Sequence, residues 1–463
     1  MESMNKRIET LENIFHPSSL AIIGGTGDKS KLGYELVNGF KEIGYSGKFY
    51  IINPNNNKDV LGLPVFKSIT DIPDKVELAI IITPPSTLPG LLKECIAKSV
   101  KGIIMFSTPP DDMMPELEEI TRQVKDSGAR IVGPNSMGLY CPDGGLTIFP
   151  GLPDKVGPVS FISHSGAMAF VFIKAMAEKN IWCSKAVTCG NELDLNWVDY
   201  LEYFGNDDDT EMIAGYMEGA IDGKKFLETA SAITSRKPVF CIKGGDSPAG
   251  NIFVSSHTGS MAGKHAIWKS AMEQANIIKT KDVHDTVDHI VMFKFLMNKP
   301  VGRRIGFVTG TGGPTVTTVD LCDQHNLIVP ELSDETQKKL MEFIPPFGSS
   351  SRNPVDLSIA AGVDRSLYIK AIKVLDKSDD VDVIICLHTG DRQGVEIAED
   401  IIREQRNCHK PIISMMIGTT ETNHHAIRIL LEAGIPAFPG QENTIRPLEA
   451  LIKWKERVRH NTI

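Results

Sequence analysis

One histidine, His257, stands in the run GGDSPAGNIFVSSHTGSMAG (residues 244–263), anchored by Ile252-Phe253-Val254 and otherwise surrounded mostly by small residues. A neutral imidazole nitrogen is nucleophilic near neutral pH, so such a histidine can carry a phosphoryl group. Ser256, Thr258, Gly259 and Ser260 leave the ring reachable, and Gly259 and Gly263 permit backbone angles that larger residues resist. Taken alone, the segment also reads as a surface loop with an incidental histidine. A carboxylate, Glu218, follows an expected strand over 212–217 and precedes Gly219. There it either fixes a nearby imidazole in one tautomer and stabilises its phosphorylated form, or caps a turn. The acidic loop Asn191-Glu192-Leu193-Asp194 reads as a solvated turn.

Several glycine-rich turns offer places for phosphate. Gly24-Gly25-Thr26-Gly27-Asp28-Lys29 follows the first expected strand, and a turn of this kind presents N–H groups and a helix dipole to an anion. The dinucleotide fingerprint GxGxxG is not met, because the sixth position from Gly25 is Ser30. The second strand ends in Asn53-Pro54, where an NAD site offers an acid to the ribose. NAD is therefore disfavoured, which leaves another nucleotide-bearing cofactor or a plain turn. Further strand ends carry Thr83-Pro84-Pro85, Phe106-Ser107 and Gly133-Pro134-Asn135, which in an open parallel sheet converge on one crevice.

Two other turns are alike: Ser163-His164-Ser165-Gly166-Ala167-Met168 and Thr309-Gly310-Thr311-Gly312-Gly313-Pro314. Each puts small residues and free N–H groups at a helix start, which suits phosphate or simply turns the chain. Pro314 fits a first helical turn, where no N–H partner is lost. His164 reads as a turn or core residue held by its flanking elements, not as a nucleophile. No metal cluster is expected, since His424-His425 are adjacent on an expected helix and not at i, i+4 spacing.

Short β-branched runs that alternate with helical patterns must position these loops, which predicts α/β architecture with mostly parallel sheets. Strands are expected in the first unit at 20–23, 49–52, 78–82, 103–106 and 130–132, with helices such as 33–43 and 87–98. In the second they are expected at 158–162, 186–188, 212–217 and 238–242, with a helix over 262–274. The third, after Pro300-Val301-Gly302, has expected strands at 304–308, 381–387, 411–415 and 436–438, and residues 343–356 read as a loop. At 463 residues the chain is too long for one core, and about three domains of roughly 150 residues are expected.

The composition, 41% hydrophobic and 23% charged, is that of an ordinary globular protein. A formal net charge of −9 argues against a nucleic-acid or anionic-membrane surface, so an anionic ligand must be held by local devices. The eight cysteines form no CxxC pair and read as buried free thiols of a reducing compartment. The start, MESMNKRIETLENIF, lacks the apolar core of a signal peptide, and no apolar run approaches the roughly 18 residues of a membrane span. A cytoplasmic location is expected.

Together these residues resemble the α subunit of an ADP-forming (NDP-forming) acyl-CoA synthetase of the succinyl-CoA synthetase superfamily. The likeness runs over about residues 14–453 and rests on GGTGDKSKLGYE followed by INP, then GPNSMG, SHSGAMA, SHTGSMAG, TGTGGPTV and NPVDL, in that order. It implies a Rossmann-like CoA-binding domain (1–152), a flavodoxin-like domain with the phosphohistidine loop (153–299) and a second flavodoxin-like domain (300–463). By this resemblance Gly25, Thr26, Lys29, Asn53, Pro54, Thr83, Pro84 and Ser107 are candidates for coenzyme A. His257 is the phosphorylated residue and Glu218 its stabilising acid, while Ser165-Gly166 and Gly312-Gly313 hold the phosphate. Acyl-CoA, ADP and phosphate would interconvert with carboxylic acid, CoA and ATP through an acyl phosphate, with the His257 loop mobile.

Nothing in the chain reads as an ATP-grasp domain, so the resemblance implies a separate β subunit that binds nucleotide and Mg²⁺, in an α₂β₂ assembly. Two departures stand out. Asn55 takes the place of the lysine that follows Asn-Pro in many relatives, with Lys58 three residues on, and Ser107-Thr108-Pro109-Pro110-Asp111-Asp112 replaces a glycine-containing loop. An altered acyl pocket is expected from the second. The competing functions are a CoA-dependent lyase or transferase on the same scaffold without nucleotide, and a non-catalytic acyl-CoA-binding module.

Overall fold

The computed structural model describes residues 4–56, 58–258, 265–389, 393–418 and 420–460, without the side chains of Met4, Asn5, His460 and residues 255–258. The chain divides into two compact units, Met1–Thr286 and Val287–Ile463. The first contains two sheets and the second one.

The first sheet is built from β1 (Ser19–Ile23), β2 (Lys48–Ile52), β3 (Val65–Phe66), β4 (Leu78–Ile81), β5 (Gly102–Met105) and β6 (Arg130–Val132). Its order is β3-β2-β1-β4-β5-β6, and every pair is parallel. This is the doubly wound order of nucleotide-binding folds, with a crevice at the carboxyl ends where the order reverses beside β1. Central strands such as SLAII and LAII are buried at every position, as continuous apolar runs covered on both faces must be.

The second sheet comprises β7 (Gly138–Tyr140), β8 (Val159–Ser163), β9 (Cys183–Thr188), β10 (Met212–Met217), β11 (Val239–Lys243) and β12 (Ile278–Thr280). Its order is β12-β11-β10-β8-β9-β7, parallel except for the β7–β9 edge. Without β7 this is the flavodoxin-like order. β7 falls within residues 1–152 yet pairs with β9, so the first sheet's stretch of chain lends an edge strand to the second. In the other unit β13 (Ile305–Thr309), β14 (Val355–Asp356), β15 (Val383–His388), β16 (Ile412–Met416) and β17 (Ala437–Phe438) form a parallel sheet. Its order, β14-β13-β15-β16-β17, is flavodoxin-like again.

The four strands that sequence reading misses are β3, β7, β12 and β14. Each has two or three residues and lies at a sheet edge. Such strands are too short to display a period of two. The segment expected to be a loop around His257 is helical over Pro248–Thr258, and the expected helix over 262–274 is described as His265–Gln274. Residues 259–264 lie outside the described residues.

A continuous apolar core joins the first two sheets, running from Ile22 and Leu36 to Trp197, Tyr200 and Phe204. Phe161 of β8 stacks on Phe172 at 4.0 Å between centroids and seats helix Gly166–Glu178 on the sheet. Truncating a buried aromatic of this kind costs about 3–5 kcal/mol. Arg130 of β6 holds Asp194 through two 2.9 Å bonds, and the Ile131 N–H donates to the same carboxylate at 2.9 Å. In the loop expected to be a solvated turn, Asn191 is exposed, but the Asp194 side chain is buried and anchored. The eight cysteines are unpaired; seven are buried and Cys408 is half-buried.

Candidate functional site

The carboxyl ends of β4, β5, β8 and β10 surround a cavity of about 700 Å³ within the Met1–Thr286 unit. Ser107 and Asn135 line it from the first sheet, and His164, Ser165, Gly166 and Glu218 from the second. Apolar walls come from Leu32, Ile82, Phe106, Met137 and Phe149.

Glu218 is 7% exposed and held at three points. Its backbone N–H donates to Nδ1 of His164 at 3.1 Å. Its carbonyl accepts from Lys243 Nζ at 2.8 Å, and Oε1 accepts from the Tyr216 hydroxyl at 3.1 Å. Burial, with the Glu218 carboxylate beside it, raises the Tyr216 phenol, so it remains a donor at neutral pH. Burial lowers the pKa of Lys243, which also lies 5.2 Å over the Trp268 ring. The second carboxylate oxygen, Oε2, has no partner among the described residues.

His164 cannot be protonated at Nδ1 while that atom accepts the Glu218 N–H. Its proton sits on Nε2 and is donated to Glu192 Oε1 at 3.1 Å, with both side chains 8% exposed. Glu192 Oε1 also accepts the first N–H of helix Trp197–Asn206, from Trp197, at 2.5 Å. Both ring nitrogens are thus engaged, as suits a fixed residue and not a nucleophile. Nothing in the sequence singles out Lys243 and Tyr216, and Glu192 lies in the loop expected to be a solvated turn. The one local signal was Glu192 directly after the Gly190-Asn191 turn.

Ser165 caps helix Gly166–Glu178 by accepting from the Met168 N–H at 3.4 Å. A Cβ at Gly166 would lie 2.1 Å from Met137 Sδ, so any side chain here must displace that methionine. The CoA candidates lie at the ends of β1, β2, β4 and β5, and of them only Ser107 lines the cavity. Ser107 donates its hydroxyl to the Thr83 carbonyl and ties β5 to β4. The Thr83 hydroxyl bonds that of Thr87 at 2.6 Å, and Pro84 opens the turn Pro85–Thr87. The side-chain amide of Asn53 donates to the Gly25 carbonyl at 3.0 Å, so this residue links the turns after β1 and β2.

Thr26 Oγ1 accepts the Asp28 N–H at 3.2 Å, and Ser30 holds the Asp28 carboxyl below its usual range. Lys29 is exposed on the same turn. A Cβ at Gly33 would lie 2.4 Å from the Gly24 carbonyl oxygen, which draws the next helix against the turn as a phosphate cradle requires. Lys67 Nζ bonds the Pro54 carbonyl at 2.8 Å and buttresses the loop that carries Asn55. Asp111 and Asp112 are exposed and do not line the cavity.

In the Val287–Ile463 unit, Gly312 and Gly313 open helix Gly312–Gln324, and a Cβ on either would meet nothing within 4 Å. A cavity of about 490 Å³ adjoins Gly310 and Thr311 and is bounded by Tyr368 and His388. His257 lies in the last turn of helix Pro248–Thr258. Among the described residues no group of three His, Cys, Asp or Glu is placed to hold a metal ion.

Family models match nearly the whole chain: a CoA binding domain over residues 18–142, a succinyl-CoA ligase like flavodoxin domain over 156–293, and a ligase-CoA domain over 305–460. The α subunit of acetate–CoA ligase [ADP-forming] II from Pyrococcus furiosus is 32% identical over 97% of this chain and 98% of its own length. The chain belongs to the ADP-forming acyl-CoA ligase family. Another member of this ligase family, acetate–CoA ligase [ADP-forming] of Methanocaldococcus jannaschii, is 33% identical over 96% of this chain, which spans 63% of that longer protein. The ligase family thus contains two-subunit forms, whose α subunit this chain matches end to end, and longer single-chain forms. Among solved structures, the dinucleotide forming acetyl-coenzyme A synthetase 1 of Ca. Korarchaeum cryptofilum, in complex with phosphate and ADP, superimposes on this ligase chain with a TM-score of 0.87. The two are 29% identical, with 98% of each chain covered. Among the described residues no helix is long and apolar enough to cross a membrane.

Proposed function

We propose that this chain is the α subunit of an ADP-forming acyl-CoA ligase that works through a phosphohistidine at His257. The observation that carries the reading is Glu218, buried in the wall of the 700 Å³ cavity with one carboxylate oxygen unpartnered, beside the helix start at Gly166. An acceptor held in this way takes the N–H of an imidazole and leaves the other ring nitrogen its lone pair for phosphorus.

In the forward direction a phosphate oxygen attacks the acyl-CoA carbonyl, and the C–S bond breaks to give acyl phosphate and free CoA, the thiolate taking a proton. The His257 nitrogen then attacks phosphorus, and the P–O bond to the acyl group breaks to release carboxylate. ADP finally takes the phosphoryl group from His257 to give ATP. The N–H groups at Ser165-Gly166 and at Gly312-Gly313 stabilise the phosphoryl oxygens. Gly25, Thr26, Lys29, Asn53, Pro54, Thr83, Pro84 and Ser107 make the edge at which coenzyme A is held.

We assign three domains, 1–152, 153–299 and 300–463, one to each sheet, with edge strand β7 of the first stretch paired in the second sheet. It requires an ATP-grasp β subunit for nucleotide and Mg²⁺, in an α₂β₂ assembly in the cytoplasm. The test is intact and peptide mass spectrometry under alkaline conditions, on the native complex incubated with Mg-ATP. An acid-labile phosphate at His257, absent in His257→Ala, is expected. A chain that stays unmodified while its partner binds ATP would sink the mechanism in favour of CoA chemistry without nucleotide.

A further inference from the structure

We infer that His164 and Glu192 are a positioning pair for Glu218, fixing the acid that the phosphohistidine needs; the inference rests on the role proposed above for Glu218. His164 follows β8 and meets the backbone of Glu218, 54 residues later in the chain, at the end of the neighbouring strand β10. The backbone N–H of Glu218 lies just beyond the β10 ladder, where no strand partner holds it. An imidazole supplies one rigid acceptor and one rigid donor on different edges of the same ring. Here Nδ1 takes the Glu218 N–H, and Nε2–H is directed to Glu192 Oε1. Glu192 in turn fixes the tautomer that leaves Nδ1 as the acceptor.

Glu192 is itself held with some effort. Its backbone is in the left-handed region at φ 56°, disfavoured for a residue with a side chain. The residues around it bind the loop that follows β6: the Asn191 N–H donates to the Pro134 carbonyl at 2.8 Å, and the Leu193 N–H to Gly133 at 3.0 Å. Asn191 Oδ1 accepts from the Asn135 side chain at 3.2 Å, and Asn135 lines the cavity. One connected set of bonds therefore runs from the first sheet's wall through Glu192 and His164 to Glu218. A need for packing alone is met by apolar side chains, whereas burying this polar pair costs desolvation that the positioning of Glu218 accounts for.

The test measures the rate at which Mg-ATP labelled at the γ-phosphate phosphorylates the chain in its native complex, a readout that needs no knowledge of the acid. His164→Ala is expected to lower the maximal rate by about 100-fold, the scale set by displacing a reacting group. The ATP concentration at half-maximal rate should change by less than about twofold. Two variants of similar polarity separate the contacts: His164→Asn keeps a carboxamide oxygen near the Nδ1 position, whereas His164→Gln keeps only a donor near Nε2. The asparagine variant should be the faster. In a Glu218→Gln background, His164→Ala should add little to the loss, since the two act as one unit.

Equal rates for the Asn and Gln variants would overturn the pair while leaving Glu218 in its role, as would losses that multiply in the double variant. A Glu218→Gln complex phosphorylated at the full rate would instead remove the role of Glu218 itself. The Asn–Gln comparison decides the matter even where His164→Ala does not fold.

Discussion

The turn after β8 and the turn after β13 share a local design but have different surroundings. In both, a hydroxyl at the strand end accepts the N–H two residues on at 3.0 Å, Ser163 for Ser165 and Thr309 for Thr311. Each hydroxyl also donates to the carbonyl of that same residue. The residue before each helix is extended, at φ −108° for Ser165 and −136° for Thr311. There the likeness ends. Ser165 caps its helix, and Gly166 is pressed against Met137, whereas Thr311 makes no side-chain cap and Gly312 and Gly313 face open space. The imidazoles near the two turns differ in the same sense. His164 is bonded at both nitrogens, while the fully buried His388 bonds Ser414 at 3.3 Å through Nε2 and has no partner at Nδ1 among the described residues. The first turn is fixed by its protein neighbours, whereas the second has an open helix start near a buried imidazole nitrogen without a partner among the described residues.

The largest expected effect is the pH response of the His388 imidazole. Burial pushes His388 from its ordinary 6.5 down to about 4. Between those values the unfolded chain binds a proton that the folded chain refuses. Stability is therefore intact above pH 6.5 and falls as pH drops toward 4, by about 3 kcal/mol in total at roughly 1.4 kcal/mol per unit. Thermal melts of wild type and His388→Gln across this window should diverge on the acid side, the variant being the less sensitive. Parallel curves would mean that His388 is accessible to protons in the folded chain.

Next in size is the contrast between glycines. Gly166→Ala must displace the Met137 sulfur and should cost about 1–3 kcal/mol in denaturant unfolding, partly recovered by adding Met137→Ala. Gly312→Ala meets nothing, so its stability should be unchanged. Loss of phosphoryl transfer in a stable Gly312→Ala protein would then mark the approach of a ligand to that backbone. An equal loss of stability at both positions would erase the contrast. The smallest expected effect is that of the cap: Ser165→Ala should cost about 1 kcal/mol and Thr311→Ala much less, read from the same unfolding curves.

Much of this was legible in the sequence. The central strands are continuous β-branched runs, and the hydroxyl- and glycine-rich turns that follow them are local patterns, so both were placed closely. Ser107, Ser165, Gly166 and Glu218 were picked from separate loops, and the fold brings them to one cavity. The edge strands were illegible because two or three residues carry no period. The acids of Asn191-Glu192-Leu193-Asp194 look solvated in the sequence, and only their distant partners Arg130 and His164 account for their buried side chains. The small neighbours of His257 predict a loop, yet the backbone is helical to Thr258.

The amino-acid sequence by itself determined three α/β sheets, the turns at their carboxyl ends and the residues proposed to carry or bind phosphate. Those properties depend on neighbours within a few positions along the chain. Only the tertiary structure decided which carboxylate is gripped, which helix start is crowded and which is open. Each of those outcomes depends on side chains tens of residues apart, such as His164 with Glu218 or Met137 with Gly166, meeting at distances that no local pattern encodes.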